Sequence, residues 1–244
     1  MVMGVKGFTT LSGLTSNVSI PCQTGRITAD YADDLRSAVA VSAPTLTDKI
    51  LTPTKISATT VIGRELLTIA NDDIISFIVD DITKSIALKV EALLLNKVAE
   101  GAGTTITYSA LNAVDYADIV AFESAVADYA VGGLNWVMGA GARGVLKTIP
   151  LDNANGASGR FICENNEING YGVNVSAVAG ATNGALYFGD WSKLLVGFFG
   201  NDGGASFVID EYTLSHEGNI RVTGNVFVDA CLTNSEAFAV GKVQ

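Results

Sequence analysis

The stretch that decides the fold is NDDIISFIVDDITKSIALKVEALLLNKVAEG, residues 71–101. Ile75, Ile78, Val79, Ile82, Ile86, Val90, Leu93 and Leu94 recur at helical spacing and form one apolar stripe. Asn71 or Asp72 supplies a cap, because a side-chain oxygen there accepts from an otherwise unpaired first-turn amide. Asp72 and Asp73 suit the positive end of the helix dipole, Lys97 suits the negative end, and Gly101 is a natural stop. Asp80 stands four residues before Lys84, a supporting pair on the wet face. Ile74, Phe77, Leu88 and Leu95 lie off the stripe, so the apolar surface is wide, as if the helix were covered on more than one side. At about 1.5 Å per residue it runs roughly 45 Å, long for an ordinary compact domain. It reads as a core helix or as the spine of an extended subunit, and the remaining sequence has to decide between them.

Of 244 residues, 48% are hydrophobic and only 16% charged, against about a quarter charged in a typical globular chain. A chain this poor in charge hides much of its surface, either in assembly or in a very large core. The formal net charge is −10 and the fifteen Lys and Arg are scattered, which argues against a surface that grips nucleic acid, since phosphate contacts need clustered basic groups. Asp80, Asp81, Lys84 and Lys89 interrupt the best apolar run before it reaches the roughly 18 residues of a membrane span. MVMGVKGFTTLSG (1–13) is too polar for a signal peptide. Cys22, Cys163 and Cys231 are odd in number and lack CxxC spacing, so they read as free thiols in a reducing compartment, not as a disulfide or zinc framework.

Residues 1–25 carry one charge, Lys6, yet Phe8, Leu11, Leu14, Val18 and Ile20 are too apolar for a solvated tail. An extended arm lying on another surface fits them better. AVAVSA (38–43) and LTDKILTPTKISA (46–58) alternate like two strands, with Pro44 and Pro53 suited to edge or bulge positions. A two-stranded hairpin is marginal alone in water, so this one should lean on something else, such as a neighbouring subunit. TTVIGREL (59–66) leads into a helical turn before the long helix. LNAVDYADIVAFESAVADYA (111–130) reads as a second amphipathic helix, LNWVMG (134–139) as a buried strand, and a short helix runs on to about Ile149, where Pro150 ends it. Turn sequences fill 151–184 around a strand candidate, INGYGVNVSAV (168–178). ALYFGDW (185–191) and LLVGFFG (194–200) are strands; SFVIDEYTL (206–214), NIRVTGNVFVDACL (219–232) and AFAVGKV (237–243) are expected to form one antiparallel sheet. Helices first and sheet afterwards give the class α+β.

Sites of chemistry are few. GAGARG (139–144) is a literal GxGxxG after a strand, and Glu164 stands about where an acid is wanted, but Pro150 leaves barely two turns of helix and no βαβ unit follows. A strand-to-helix corner explains it better. Asp72-Asp73 and Asp80-Asp81 are consecutive pairs whose members point about 100° apart on a helix, so they serve as cap and wet face, not as a metal site. Asn201-Asp202-Gly203-Gly204 starts like a calcium loop without the following oxygen ligands. The single histidine, His216, sits beside Glu217 in a turn; there is no GxSxG and no cysteine with a partner base. No catalytic, cofactor or metal residues are assigned.

The order of these parts resembles the major capsid protein of tailed phages with the HK97 fold, over most of the chain. LTPTKISATTVIGRELL (51–67) is similar to the family's strand that leaves an extended loop and enters a spine helix, although the family often has Ser where Gly63 stands. LNWVMGAGARGVLKTI (134–149) looks like its strand and helix. ALYFGDWSKLLVG (185–197) is similar to its most specific segment, and RVTGNVFVDACLTNSEAFAV (221–240) resembles its closing strands.

The resemblance implies an N-terminal arm (1–25), an E-loop hairpin (26–58), a discontinuous P-domain (59–108 and 206–244, with the spine helix at about 71–100) and an A-domain (109–205). It implies a major capsid protein of a tailed phage or prophage, assembled in the bacterial cytoplasm as pentamers and hexamers of an icosahedral virion shell. Packaged double-stranded DNA would be enclosed without sequence-specific contact and without a membrane. Portal, scaffolding, protease and decoration proteins are further implied partners. Inter-subunit contacts would fall on Phe8, Leu11 and Leu14 of the arm, Arg36, Lys49 and Lys55 of the E-loop, Asn155 of an axial loop, and His216 and Glu217. Nothing before the arm looks like a removable scaffolding segment, which implies a mature product or separate scaffolding. One family member welds its shell with Lys–Asn bonds assisted by a Glu. Here His216 and Thr223 stand about where the Asn and Glu should be, so no such crosslinking is expected. An encapsulin-type compartment with the same fold is the alternative, but the Thr/Ser-rich, non-helical arm favours the phage.

Overall fold

The computed structural model describes residues 7–25, 43, 45–69, 73–129, 132–151, 159–179, 184–200 and 204–244. The strands are β1 (Thr9–Leu14), β2 (Val18–Gly25), β3 (Thr45–Leu51), β4 (Thr54–Gly63), β5 (Thr104–Tyr108), β6 (Leu134–Met138), β7 (Glu167–Ile168), β8 (Tyr171–Val175), β9 (Leu186–Asp190), β10 (Leu194–Phe199), β11 (Ser206–Asp210), β12 (Asn219–Leu232) and β13 (Phe238–Val243). The helices are α1 (Arg64–Ile69), α2 (Asp73–Gly101), α3 (Tyr116–Ala127) and α4 (Ala140–Leu146).

The 29-residue α2 is the expected long helix, ending at Gly101. The caps assigned to Asn71 and Asp72 lie outside the described residues. Its inner face, Ile82, Ile86, Val90, Leu94 and Val98, is buried against Val222, Val226, Val228 and Ala230 of β12. Gly224 lets the two elements approach: a Cβ there would stand 2.7 Å from Ile82 Cγ2. Lys97 does not serve the helix terminus, since the last turn holds no basic residue. It reaches sideways to a carboxylate on β12, described below.

β12 is the hub of a five-stranded sheet. Asn219–Val228 pair antiparallel with β4, Arg221–Asn225 with β11, and Phe227–Leu232 with β10. β1 lies parallel to β10 beyond it, so the segment expected to be a bare arm contributes strands. The second sheet runs β5-β13-β9-β6-β8-β7. Here the expectation of one closing antiparallel sheet is corrected: β13 leaves β12 after the turn at Ser235–Ala237, lies parallel to β5 and antiparallel to β9. β3 pairs with β2 in a separate two-stranded sheet; of the segment 38–43 expected to be its hairpin partner, only residue 43 lies within the described residues.

The second sheet is held by aromatic packing. Trp136 lies edge-on to Phe122 of α3 (centroids 5.2 Å apart) and against Phe188 of β9 (4.5 Å). Asp115 caps α3 in a reciprocal capping box with Asp118. The GDW and EAFAV segments meet directly, Gly189 opposite Phe238. A Cβ on residue 189 would come within 2.5 Å of Phe238 Cδ1 and 2.6 Å of the Ala237 carbonyl oxygen, and the carbonyl belongs to backbone that cannot yield.

Gly189→Ala is therefore expected to destabilise the protein by about 2–3 kcal/mol through overpacking. Gly141→Ala on α4, where an added Cβ meets nothing within 4 Å, should be neutral or stabilising by up to about 1 kcal/mol. Urea midpoints of the two full-length variants check this; equal midpoints would contradict the close approach at Gly189.

Candidate functional site

Among the described residues no three His, Cys, Asp or Glu side chains are grouped to hold a metal ion, and no helix is long and apolar enough to cross a membrane. The GAGARG corner holds α4, seven residues long. A parallel strand does follow it, since β8 lies parallel to β6, contrary to the expectation of none. Its other parts are in local use. Arg143 Nη1 donates to Asn166 Oδ1 at 3.1 Å, and Glu164 Oε1 accepts from the Phe161 amide at 2.8 Å. Gly141 and Gly144 face open space, so nothing requires their lack of a side chain for a close backbone approach. His216 is exposed, with Nε2 3.6 Å from Glu217 Oε1.

What the surface offers instead is apolar area. On α2, Ile75, Phe77 and Leu88 are exposed, Phe77 at 70%. They are the residues that fall outside the buried face, so the breadth of the stripe seen in the sequence is real and one part of it is uncovered. On β11, which among the described residues pairs with β12 alone, Phe207, Val208 and Ile209 are exposed, and Tyr212 just beyond is 87% exposed. Leu46 and Ile50 are exposed on β3. An apolar edge strand and an apolar helix flank invite association unless a partner covers them.

The root of the β2–β3 hairpin is built from polar contacts. Asp229 of β12 is buried, its side chain 3% exposed, with Oδ1 3.0 Å from Lys97 Nζ. Its Oδ2 accepts from the Thr52 amide at 2.9 Å. A buried carboxylate needs such partners, and here they come from α2 and from the turn between β3 and β4. Lys49 Nζ donates to the Leu232 carbonyl at 3.4 Å and to Ser235 Oγ at 3.3 Å. The Gln23 amide donates to the Thr233 carbonyl at 3.2 Å. A cleft of about 290 Å³ opens here, lined by Lys49, Lys97, Glu100, Asp229 and Cys231 among others.

The residues singled out in the sequence do not form one constellation. Phe8 is half-buried against the main core, and Leu11 and Leu14 pack with Leu51, Leu195, Phe199 and Cys231 of their own chain. Lys49 bonds to its own chain, while Lys55 lies exposed along a second cleft with Lys89 and Asn96. Arg36 and Asn155 fall outside the described residues. Asp229, Thr52 and the β11 face escaped the sequence reading. A lone Asp in an apolar strand, Val226-Phe227-Val228-Asp229-Ala230, was the available signal for the first.

A model of the phage capsid family matches residues 4–243. No curated protein matches in sequence. Among solved structures, the capsid of an empty GTA particle computed with C5 symmetry superposes with a TM-score of 0.74 at 15% identity, over 97% of this chain and 87% of that one. Microbacterium phage Oxtober96 gives 0.71 at 17% identity, over 100% and 92%, and Mycobacterium phage Bobi 0.70 at 15%, over 98% and 89%. The fold is the HK97-like capsid fold, mixed α and β.

Removing either partner of the Lys97–Asp229 pair should not cost the same. Lys97→Met strands a carboxylate that is only 3% exposed and is expected to destabilise by about 2–4 kcal/mol. Asp229→Asn keeps an acceptor for Thr52 and frees a lysine that is already 40% exposed, for about 1 kcal/mol. Denaturant unfolding of both variants tests the order; a costlier Asp229→Asn would contradict it.

Proposed function

The chain belongs to the phage capsid family, and from that premise we propose that copies of it close head to tail into five- and six-membered rings that build an icosahedral shell around double-stranded DNA. The family match across nearly the whole chain carries this reading. Head-to-tail contacts whose rotation closes give rings, and the C5 symmetry of the similar GTA capsid is consistent with them. The exposed Phe77, Leu88 and β11 face supply apolar area for contacts between copies. With a net charge of −10, the protein encloses a polyanion without gripping it. The encapsulin alternative has no comparable support, since the similar structures cited are capsids.

In this reading α2 is the spine of the subunit, β11 and the β4–β12 ladder form the peripheral body, and the β5–β13 sheet with α3 forms the axial body. The β2–β3 hairpin is the stem of the loop that reaches a neighbour, so that loop begins near residue 18 instead of 26. Portal, scaffolding, protease and decoration proteins, assembly in the host cytoplasm and the absence of catalysis belong to the same proposal.

Negative-stain microscopy of purified protein should show rings or shells; discrete subunits near 25.3 kDa under all assembly conditions would sink the proposal. Phe77→Ser and Leu88→Ser, both at exposed positions, should leave subunit stability within about 0.5 kcal/mol while reducing the yield of assembled particles. Lys49 bonds to its own chain, so assembled particles boiled in SDS should run as one band near 25.3 kDa. A covalent ladder would contradict that.

A further inference from the structure

Cys22 and Cys231 lie near opposite ends of the sequence, yet the fold brings their thiols together. Cys22 on β2 is 2% exposed and Cys231 on β12 is 8% exposed; the Cys22 thiol donates to the Ile20 carbonyl at 3.5 Å and lies near enough to Cys231 to act on its thiol. The backbone is pinned close to the pair. The residue after Cys22 donates its amide to the Thr233 carbonyl, two residues beyond Cys231. Thr47 lies opposite Cys22 in β3, and Lys49, two residues on, bonds to the carbonyl of Leu232. Strands β2 and β3 are therefore hydrogen-bonded to the end of β12 beside the pair, and both cysteines are buried. Cys163 is buried in the other core, with Trp136 and Ile162.

We propose that Cys22 and Cys231 form a modification site, a reversible disulfide that staples the β2–β3 hairpin to β12. The oxidant is a small-molecule disulfide such as oxidised glutathione. One cysteine attacks a sulfur of the oxidant and releases the first reduced thiol. The second cysteine then displaces the remaining half as the second thiol. Two protein thiols are oxidised, one small disulfide is reduced, and the two cysteine protons end on the two released thiols. The 290 Å³ cleft borders Cys231, which gives the oxidant a route to the pair. Burial pushes the Cys231 thiol up to about 11, with the neighbouring Cys22 adding to the rise and Lys49 opposing it. The Cys231 thiolate is scarce at neutral pH, which slows its attack on an oxidant. In the reduced state the hairpin is held mainly by the hydrogen bonds at Gln23, Lys49 and Thr52 and by the burial of Leu51. The staple removes the freedom those bonds leave, and it closes a loop over most of the chain.

The test uses the full-length protein, incubated with oxidised glutathione, denatured in iodoacetamide and digested without reductant. The expected result is one linked pair, Cys22 with Cys231, with Cys163 alkylated and the link reversed by dithiothreitol. Monomer mobility on a non-reducing gel and a Tm raised by roughly 5 °C or more relative to the reduced protein complete the expectation. Three alkylated cysteines, a link through Cys163, a disulfide dimer, or a linked pair with no rise in Tm would each overturn the proposal. Cys22→Ser and Cys231→Ser should each abolish the rise. Where either fails to fold, oxidised against reduced wild-type protein decides alone.

Discussion

One buried carboxylate ties this subunit together. Asp229 lies under the surface of the first sheet, where an unpaired charge would be prohibitively expensive. The ammonium of Lys97 on α2 stands beside one oxygen as an ion pair without hydrogen-bond geometry, and the amide of Thr52 at the foot of the hairpin donates to the other. Helix, sheet and hairpin thus share a single polar joint. A buried pair of this kind adds little net stability, because the desolvation of two charges offsets most of their attraction. What it does is make one arrangement far better than its neighbours. A hairpin slid by one residue or a helix turned by one position would strand the charge.

Around that joint the apolar contacts divide into two bodies. The face of α2 lies on β12 over Gly224, and the aromatic cluster of Trp136, Phe122 and Phe188 lies between α3 and the second sheet. The bodies are not separate. Val137, Tyr187, Trp191 and Phe238 of the second sheet belong to the same buried cluster as the inner face of α2. The GDW turn explains how: Gly189 allows Phe238 close against it, and Trp191 Nε1 donates to the Asn135 carbonyl at 2.9 Å, locking β9 to β6 beside the helix.

Local structure was legible in the residues because its causes are local. The 3.6-residue recurrence from Ile75 to Leu94 declares α2, and the excess apolar positions Phe77 and Leu88 declare an apolar surface wider than its one buried face. The apolar runs at 134–138 and 186–199 declare buried strands. Partner choice was not legible, because it is decided by contacts distant in sequence. Nothing in Thr9–Leu14 announces a parallel place beside β10. Nothing in Phe238–Val243 says that it departs from β12 to join β5. The polar root was hidden for the same reason: Lys49 and Lys97 look like ordinary surface or helix-end charges until the fold brings them to Asp229, and three widely spaced cysteines look unrelated.

The pairing of β5 with β13 bears on how the chain is made. β1 needs β10, β4 needs β12, and β5 needs the last strand of all. Every strand of the two large sheets drawn from the first 108 residues therefore waits for a partner from the final third. Such a high contact order slows folding, and synthesis from the N-terminus leaves open edges and the apolar face of α2 uncovered until the last residues emerge. A truncated chain lacking β13 leaves β5 without its partner in the sheet and β9 unpaired on one side.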